Sequence, residues 1–164
     1  MSLDPARIGA IVAEVLDRLE RDPADPGAAR PLGLHLTLDE AVAAARRGFE
    51  SWRETPLKVR DQVIASIRET LLASLETLSR LAVEETGLGR VEDKILKNRL
   101  VAEKTPGTED LAPVAWTGDH GLTLLERAPY GVIAVITPVT NPSETIINNG
   151  ISMIAGGNVV VYGP

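Results

Sequence analysis

Residues 128–164 of the chain read APYGVIAVITPVTNPSETIINNGISMIAGGNVVVYGP, and they constrain the fold more than any other stretch. Two short apolar runs, residues 132–136 and 159–162, are rich in Val and Ile and too short for helices, so they read as buried strands. Residues 143–154 between them have helical character. Strand, helix and strand within about thirty residues make one βαβ unit, the building block of a nucleotide-binding parallel sheet. Parallel sheets bury both faces, and two strands with one crossover helix cannot do that alone. The expected fold class is therefore α/β, and the expected setting is the N-terminal part of a longer enzyme.

Charge and composition exclude several function classes. The net charge of −6, with no block of Lys and Arg, argues against nucleic-acid binding. No apolar run approaches the roughly 20 residues that span a bilayer, so no membrane role is expected. The opening MSLDPARIG lacks a basic start followed by an apolar core, so no secretory signal is expected and the reading is cytoplasmic. The chain has no cysteine, which excludes disulfides, thiolate metal sites and a cysteine nucleophile within these residues. His35 and His120 are far apart in sequence and each reads as a loop residue, so no metal site is expected.

Three domain-level regions follow from the patterning. Residues 1–21 read as an amphipathic helix of targeting type, with Asp4 as cap and Pro5 in the first turn. Ile8, Ile11, Val12, Val15, Leu16 and Leu19 form its apolar stripe, opposite Arg7, Glu14, Asp17, Arg18 and Arg21. Residues 22–36, dense in Pro, Gly and Ala, read as a flexible linker. At roughly 1.5–3 kcal/mol per fully buried aliphatic side chain, the stripe is expected to be covered. Packing on its own body or a subunit neighbour is one way, and docking to a different protein is the other.

The third region, residues 37–164, begins with helices that continue to about Lys104. Thr37 and Glu40 fit a capping box ahead of Val42, Ala45, Phe49 and Trp52. Thr55 and Pro56 start a second helix with Val63, Ile64, Ile67 and Leu71 on one face. A third runs through Leu75, Leu78, Leu81 and Ala82 to Gly87, a left-handed C-terminal residue. A fourth carries Val91, Ile95 and Leu96. Charges on these helices are expected on the solvent side, with no polar constellation interrupting the apolar faces. Residues 114–117 and 122–126 flank Gly118, Asp119, His120 and Gly121 and read as a β-hairpin. By analogy with hairpins that protrude between domains, this hairpin at 114–126 is of oligomerisation type.

The turn after the first strand of the βαβ unit, residues 137–142, holds the candidate chemistry. It lies at the carboxyl end of a strand, where open parallel sheets bind ligands. Pro138 and Pro142 stiffen it, and Thr137, Thr140, Asn141 and Ser143 supply hydroxyls and an amide at a helix start. Asn141 serves either as an N-cap or, with the helix N-terminus, as a partner for a substrate oxyanion or cofactor phosphate. No GxGxxG follows the strand, so the ordinary dinucleotide fingerprint is missing. Asn148 and Asn149 fall mid-helix, where Asn is unfavourable, and a bond from one of them to a neighbouring loop would account for it.

GVIAVITPVTNP followed by INNGISMIAGGNVVVYGP resembles the aldehyde dehydrogenase superfamily. The resemblance is nearest to the CoA-acylating acetaldehyde and propionaldehyde dehydrogenase branch. There the turn carries Thr, Asn and Pro, filled by Thr140, Asn141 and Pro142, where hydrolytic members have Trp-Asn-Phe-Pro. Trp116-Thr-Gly-Asp-His-Gly121 and Glu85-Thr-Gly87 match the same branch, and about residues 37 to 164 are covered. The resemblance implies the start of a Rossmann-like NAD-binding domain in an incomplete aldehyde dehydrogenase fold. It implies a parent enzyme that converts a short-chain aldehyde, coenzyme A and NAD to acyl-CoA and NADH. The family's cysteine nucleophile has no counterpart in this chain, so these residues are expected to be inactive alone.

Carried over position by position, the resemblance assigns Thr137, Pro138, Val139, Thr140 and Gly163 to the cofactor site. It assigns the oxyanion contact to Asn141, with Thr140 as the alternative because Thr140 fills the hydrolytic Asn position. Gly163 replaces a Lys that bonds the adenosine ribose in hydrolytic members, which implies a different dinucleotide grip. Acylating dehydrogenases of bacterial microcompartments are similar in a leading amphipathic peptide and linker. That likeness implies a shell protein as partner for the stripe, an encapsulated location and a homo-oligomeric parent. Two other readings stay open: a hydrolytic aldehyde dehydrogenase, and a non-catalytic assembly module that works through its first helix.

Overall fold

The computed structural model of the chain describes residues 33–163. The leading helix expected over residues 1–21, with its stripe Ile8, Ile11, Val12, Val15, Leu16 and Leu19, lies outside the described residues, as does most of the linker. The elements below fall in one unit, His35–Pro164.

Helix α1, Leu38–Trp52, starts where expected. Thr37 has extended backbone, and its Oγ1 accepts from the Glu40 N–H at 3.2 Å. Glu40 completes the cap one residue further out, its Oε2 accepting from Leu36 N–H at 3.3 Å. Asp39 and Glu40 in the first turn also complement the helix dipole. Ala45 is buried, and Phe49 lies against Gly131 at the entrance of the later sheet. The Trp52 indole N–H donates to the Ile154 carbonyl at 3.0 Å. Arg60 closes the helix end: its guanidinium donates to the carbonyls of Arg53 and Thr55 at 3.1 and 3.0 Å and stands over the Trp52 ring.

Helices α2, Leu57–Ala73, and α3, Leu75–Thr86, are separated by Ser74 alone. Gly87 ends α3 at φ +66°, the left-handed cap the sequence predicts, and its N–H bonds the Val83 carbonyl at 2.8 Å. Helix α4 spans Val91–Lys104, and a short 3₁₀ turn follows at Thr108–Leu111. Strands β1, Val114–Gly118, and β2, Gly121–Leu125, form an antiparallel hairpin with Gly118 paired to Gly121 across a two-residue loop. Gly121 carries φ +136°, outside the range that side chains readily adopt. Every residue of both strands is exposed, including Trp116, Leu122 and Leu124.

The βαβ unit has the expected form. Strand β3, Val132–Ile136, pairs in parallel with β4, Val159–Gly163, in the register Val132↔Val159 to Ile136↔Gly163. Helix α5, Pro142–Ala155, crosses between them with Pro142 in its first turn. Ile147, Ile151 and Ala155, four residues apart, form its buried stripe and meet Ile64 of α2 and Ala102 of α4 in the main core. The strands themselves stay partly open, with Ile136 82% exposed. The entry to both strands is tied by the buried Asn158, whose Oδ1 accepts from the N–H groups of Tyr130 and Gly131 at 2.6 and 3.0 Å.

One expectation about the helices fails. The face of α4 that packs inward is Lys94, Asn98 and Ala102, whereas Leu96 and Leu100 are exposed. A polar constellation therefore does interrupt the helical region. Asn98 Nδ2 donates to Ser79 Oγ of α3 at 3.0 Å, with both residues fully buried. A short hydroxyl and an amide let α3 and α4 approach closely, with Nδ2 paired to Ser79 and the buried Asn98 Oδ1 left without a partner among the described residues, and hydropathy cannot register such a stripe.

Candidate functional site

The carboxyl end of β3 runs directly into the turn that the sequence singles out. Thr137 extends the ladder by one residue: both its N–H and its Oγ1 donate to the Gly163 carbonyl, at 3.1 and 3.2 Å. Thr137 and Gly163, two of the predicted cofactor-site residues, are thus in contact at the edge of the sheet. A Cβ at Gly163, the last described residue, would meet nothing within 4 Å. Pro138 accepts the Asn141 N–H at 3.3 Å and tightens the turn, and Val139 is 63% exposed at its tip.

Thr140 and Asn141 lie apart from that pair and are held by α4. The buried Lys94 reaches under the turn and donates from Nζ to the Thr140 carbonyl at 3.0 Å. Lys97, one turn further along the same face, donates from Nζ to Asn141 Oδ1. Asn141 precedes the first helical residue of α5, yet its side chain makes no capping bond. The reading of Asn141 as a side-chain N-cap is therefore corrected: Oδ1 is engaged by Lys97, and Nδ2 donates to Thr140 Oγ1 at 3.3 Å. Glu144, in the first turn of α5, lies between the two lysines. Its Oε1 is 3.3 Å from Lys97 Nζ and 4.0 Å from Lys94 Nζ, and its Oε2 accepts from Ser143 Oγ at 3.1 Å.

A carboxylate with 7% of its side chain exposed is costly unless paired, and here two ammonium groups and the helix N-terminus supply the opposite charge. The cluster opens onto a cleft of about 380 Å³ between α4 and α5. Lys97, Leu100, Asn141, Thr145 and Asn148 line it, so the cleft has an apolar side and an amide-rich side. Asn148 also donates to Thr105 Oγ1 at 3.2 Å, the bond to a neighbouring loop anticipated for one of the mid-helix asparagines.

Sequence reasoning located the turn and missed the three residues that hold it, Lys94, Lys97 and Glu144. The available signal was the spacing of Lys94, Asn98 and Ala102, a four-residue period without hydropathy. His35 and His120, read as loop residues, are separated from the cluster in sequence and both are exposed. Among the described residues, no group of three or more His, Asp or Glu is placed to hold a metal ion.

Comparison with known proteins places these features. The model of the aldehyde dehydrogenase family matches residues 25–164. An acetylating acetaldehyde dehydrogenase of Bilophila wadsworthia is 46% identical over 164 residues, covering 94% of this chain and 34% of the relative. A CoA-propanoylating propanal dehydrogenase of Salmonella typhimurium is 41% identical over 157 residues, covering 96% of this chain and 33% of the relative. Among solved structures, the propionaldehyde dehydrogenase of the Clostridium phytofermentans fucose-utilisation microcompartment, as its C269A mutant, superposes with a TM-score of 0.77 at 53% identity. That match covers 81% of this chain and 31% of the solved one. The chain therefore spans about a third of the length of these relatives.

Proposed function

The chain belongs to the aldehyde dehydrogenase family, and from that premise we propose that it is the N-terminal part of an NAD-dependent, CoA-acylating aldehyde dehydrogenase. The parent reaction is aldehyde plus CoA plus NAD⁺ to acyl-CoA plus NADH and a proton, with a short-chain aldehyde as substrate. The observation that carries this reading is 46% identity, across 94% of the chain, to an acetylating relative. The turn contributes what the chemistry needs from this segment: a donor at a helix N-terminus, at the carboxyl end of a parallel strand.

The residues present fit a dinucleotide. Gly163 carries no side chain at the carboxyl end of β4, the edge at which parallel sheets take ligands. Thr137, Pro138, Val139 and Thr140 would form the adjoining rim with Gly163. The bound nicotinamide would supply a hydride acceptor. Attack on the aldehyde carbon requires a thiolate, and this chain has no cysteine, so the nucleophile belongs to residues other than these. When the carbonyl oxygen gathers negative charge, Asn141 Nδ2 donates to it, with the N-terminus of α5 adding its partial positive charge. Coenzyme A then accepts the acyl group.

Two further parts of the reading concern assembly. The hairpin β1–β2 leaves Trp116, Leu122 and Leu124 exposed, and we read it as a contact between copies of the parent enzyme. Residues 1–21 we read as the peptide that takes the enzyme into a microcompartment by docking Ile8, Ile11, Val12, Val15, Leu16 and Leu19 on a shell protein. The family match begins at residue 25, whereas the propanal dehydrogenase match leaves only 4% of the chain, about 7 residues, uncovered. The alignment to this acylating relative thus runs beyond the family match into the leading residues, which supports that reading.

The test is substitution in the full-length parent. Asn141→Ala should lower kcat by on the order of 10²–10³, the usual loss for one oxyanion donor, with little change in NAD binding. A full loss in Thr140→Ala and none in Asn141→Ala would transfer the role to Thr140.

A further inference from the structure

We propose that Lys97 is a positioning residue for the acyl-transfer step: it fixes the Asn141 side-chain amide in the one orientation that presents Nδ2 as the oxyanion donor. The inference rests on the reading of Asn141 given above. An asparagine amide has two nearly isosteric orientations, with the oxygen and the NH₂ exchanged, and only one of them can donate at a given point. Nothing in the sequence of the turn selects between them.

The selection comes from α4. An ammonium group has three donors and no acceptor. Lys97 Nζ facing Asn141 therefore tolerates Oδ1 and opposes the NH₂, because the flipped orientation would set donor against donor. With Oδ1 held, Nδ2 is directed away from Lys97, toward Thr140 Oγ1. Among the described residues Nδ2 donates only to Thr140 Oγ1 at 3.3 Å, so one of its two N–H bonds stays available. Thr140 thus supports the amide rather than competing with it.

Lysine has a long stem with much rotamer freedom, so it positions a neighbour only if it is itself held. Lys97 is about half exposed on the rim of the cleft, and its ion pair with Glu144 Oε1 at 3.3 Å, a contact without hydrogen-bond geometry, restrains it. Glu144 is buried and kept in place by Ser143 and by Lys94, whose Nζ also pins the Thr140 carbonyl. Lys94 thereby sets the backbone of the turn and Lys97 its side chain, from one face of one helix. The positive charge on Lys97 also draws electron density through the amide and makes Nδ2 a stronger donor.

The experiment uses the full-length enzyme with propionaldehyde, CoA and NAD, and compares Lys97→Met, Lys97→Arg, Asn141→Ala and Lys97→Met/Asn141→Ala. Lys97→Met should lower kcat roughly tenfold, less than the loss of the donor itself, while KM for NAD and CoA stays within about twofold. Lys97→Arg, which keeps a donor-only cation, should recover most of the loss. The double variant should be no slower than Asn141→Ala, because Lys97 acts only through that amide. Glu144→Gln, which keeps the shape but loosens Lys97, should give a smaller loss that also vanishes in the Asn141→Ala background. Thermal unfolding of each variant reports the fold, and a structural role would lower kcat equally with and without Asn141. If Asn141→Ala is slow but Lys97→Met is not, or if the two losses multiply, the positioning inference is wrong and the function stands. If Asn141→Ala is as fast as the parent, the oxyanion assignment falls and this inference with it.

Discussion

Removing the Asn158 side chain should loosen the βαβ unit at its entrance, and the size of the effect follows from the groups it leaves behind. Asn158 Oδ1 accepts two backbone N–H groups, from Tyr130 and Gly131, at the point where the chain enters β3. In Asn158→Ala the Gly131 N–H stays buried without a partner, which costs about 1–3 kcal/mol. The Tyr130 N–H borders a residue that is 96% exposed and can turn to water, so its bond is worth about 0.5–1.5 kcal/mol. The Met153 carbonyl loses a bond from Nδ2 at 3.3 Å but keeps the Asn158 N–H at 2.9 Å, so that term is small. The sum is roughly 2–4 kcal/mol of destabilisation. Urea unfolding of parent and variant measures it, and amide exchange at Gly131 locates it, since that N–H should lose protection ahead of the α5 amides. A change below about 0.5 kcal/mol, or a Gly131 amide as slow as before, would show that this side chain does not hold the strand entry.

Other consequences follow from the same structure. Gly157→Ala should also destabilise, because φ is +84° there and the new Cβ would stand 2.5 Å from Arg60 Nη1; lower thermal stability checks this. Burial raises the Tyr162 phenol above its ordinary value, and its hydroxyl donates to the Ile146 carbonyl at 3.0 Å. A raised folded-state value means this contribution is complete below about pH 10 and declines as pH rises beyond it, so Tyr162→Phe should flatten the alkaline loss seen in unfolding curves. Replacing Trp116 or Leu124 with Glu should reduce the oligomeric mass of the full-length enzyme in sedimentation. Deleting residues 1–21 should leave its kcat unchanged and abolish co-purification with microcompartment shells.

What the sequence makes legible is what depends on local chemistry. Val- and Ile-rich runs bounded by Gly and Pro locate β3 and β4, β3 to the residue and β4 one residue short of its end. Thr37 and Gly87 mark helix ends because a hydroxyl cap and a left-handed glycine act within their own turns. The turn at 137–142 is legible as a candidate site because parallel sheets bind ligands at the carboxyl ends of their strands. What escapes is the third dimension of α4. Lys94 and Asn98 look like solvent-facing residues in sequence, and only the packing of α4 against α3 and α5 turns them inward. The side-chain cap, one of the two readings open for Asn141, fails for the same reason. The partner of Asn141, Lys97, is 44 residues away and belongs to a different helix.

The central claim is tested most directly by the products of the full-length enzyme supplied with propionaldehyde, CoA and NAD. The account predicts acyl-CoA and NADH in equal amounts, with NADH formation dependent on CoA, and no turnover by the 164-residue chain alone, which has no cysteine. Free carboxylic acid formed at the same rate with and without CoA would contradict the acylating assignment, and turnover by the isolated chain would contradict the need for a thiolate from elsewhere.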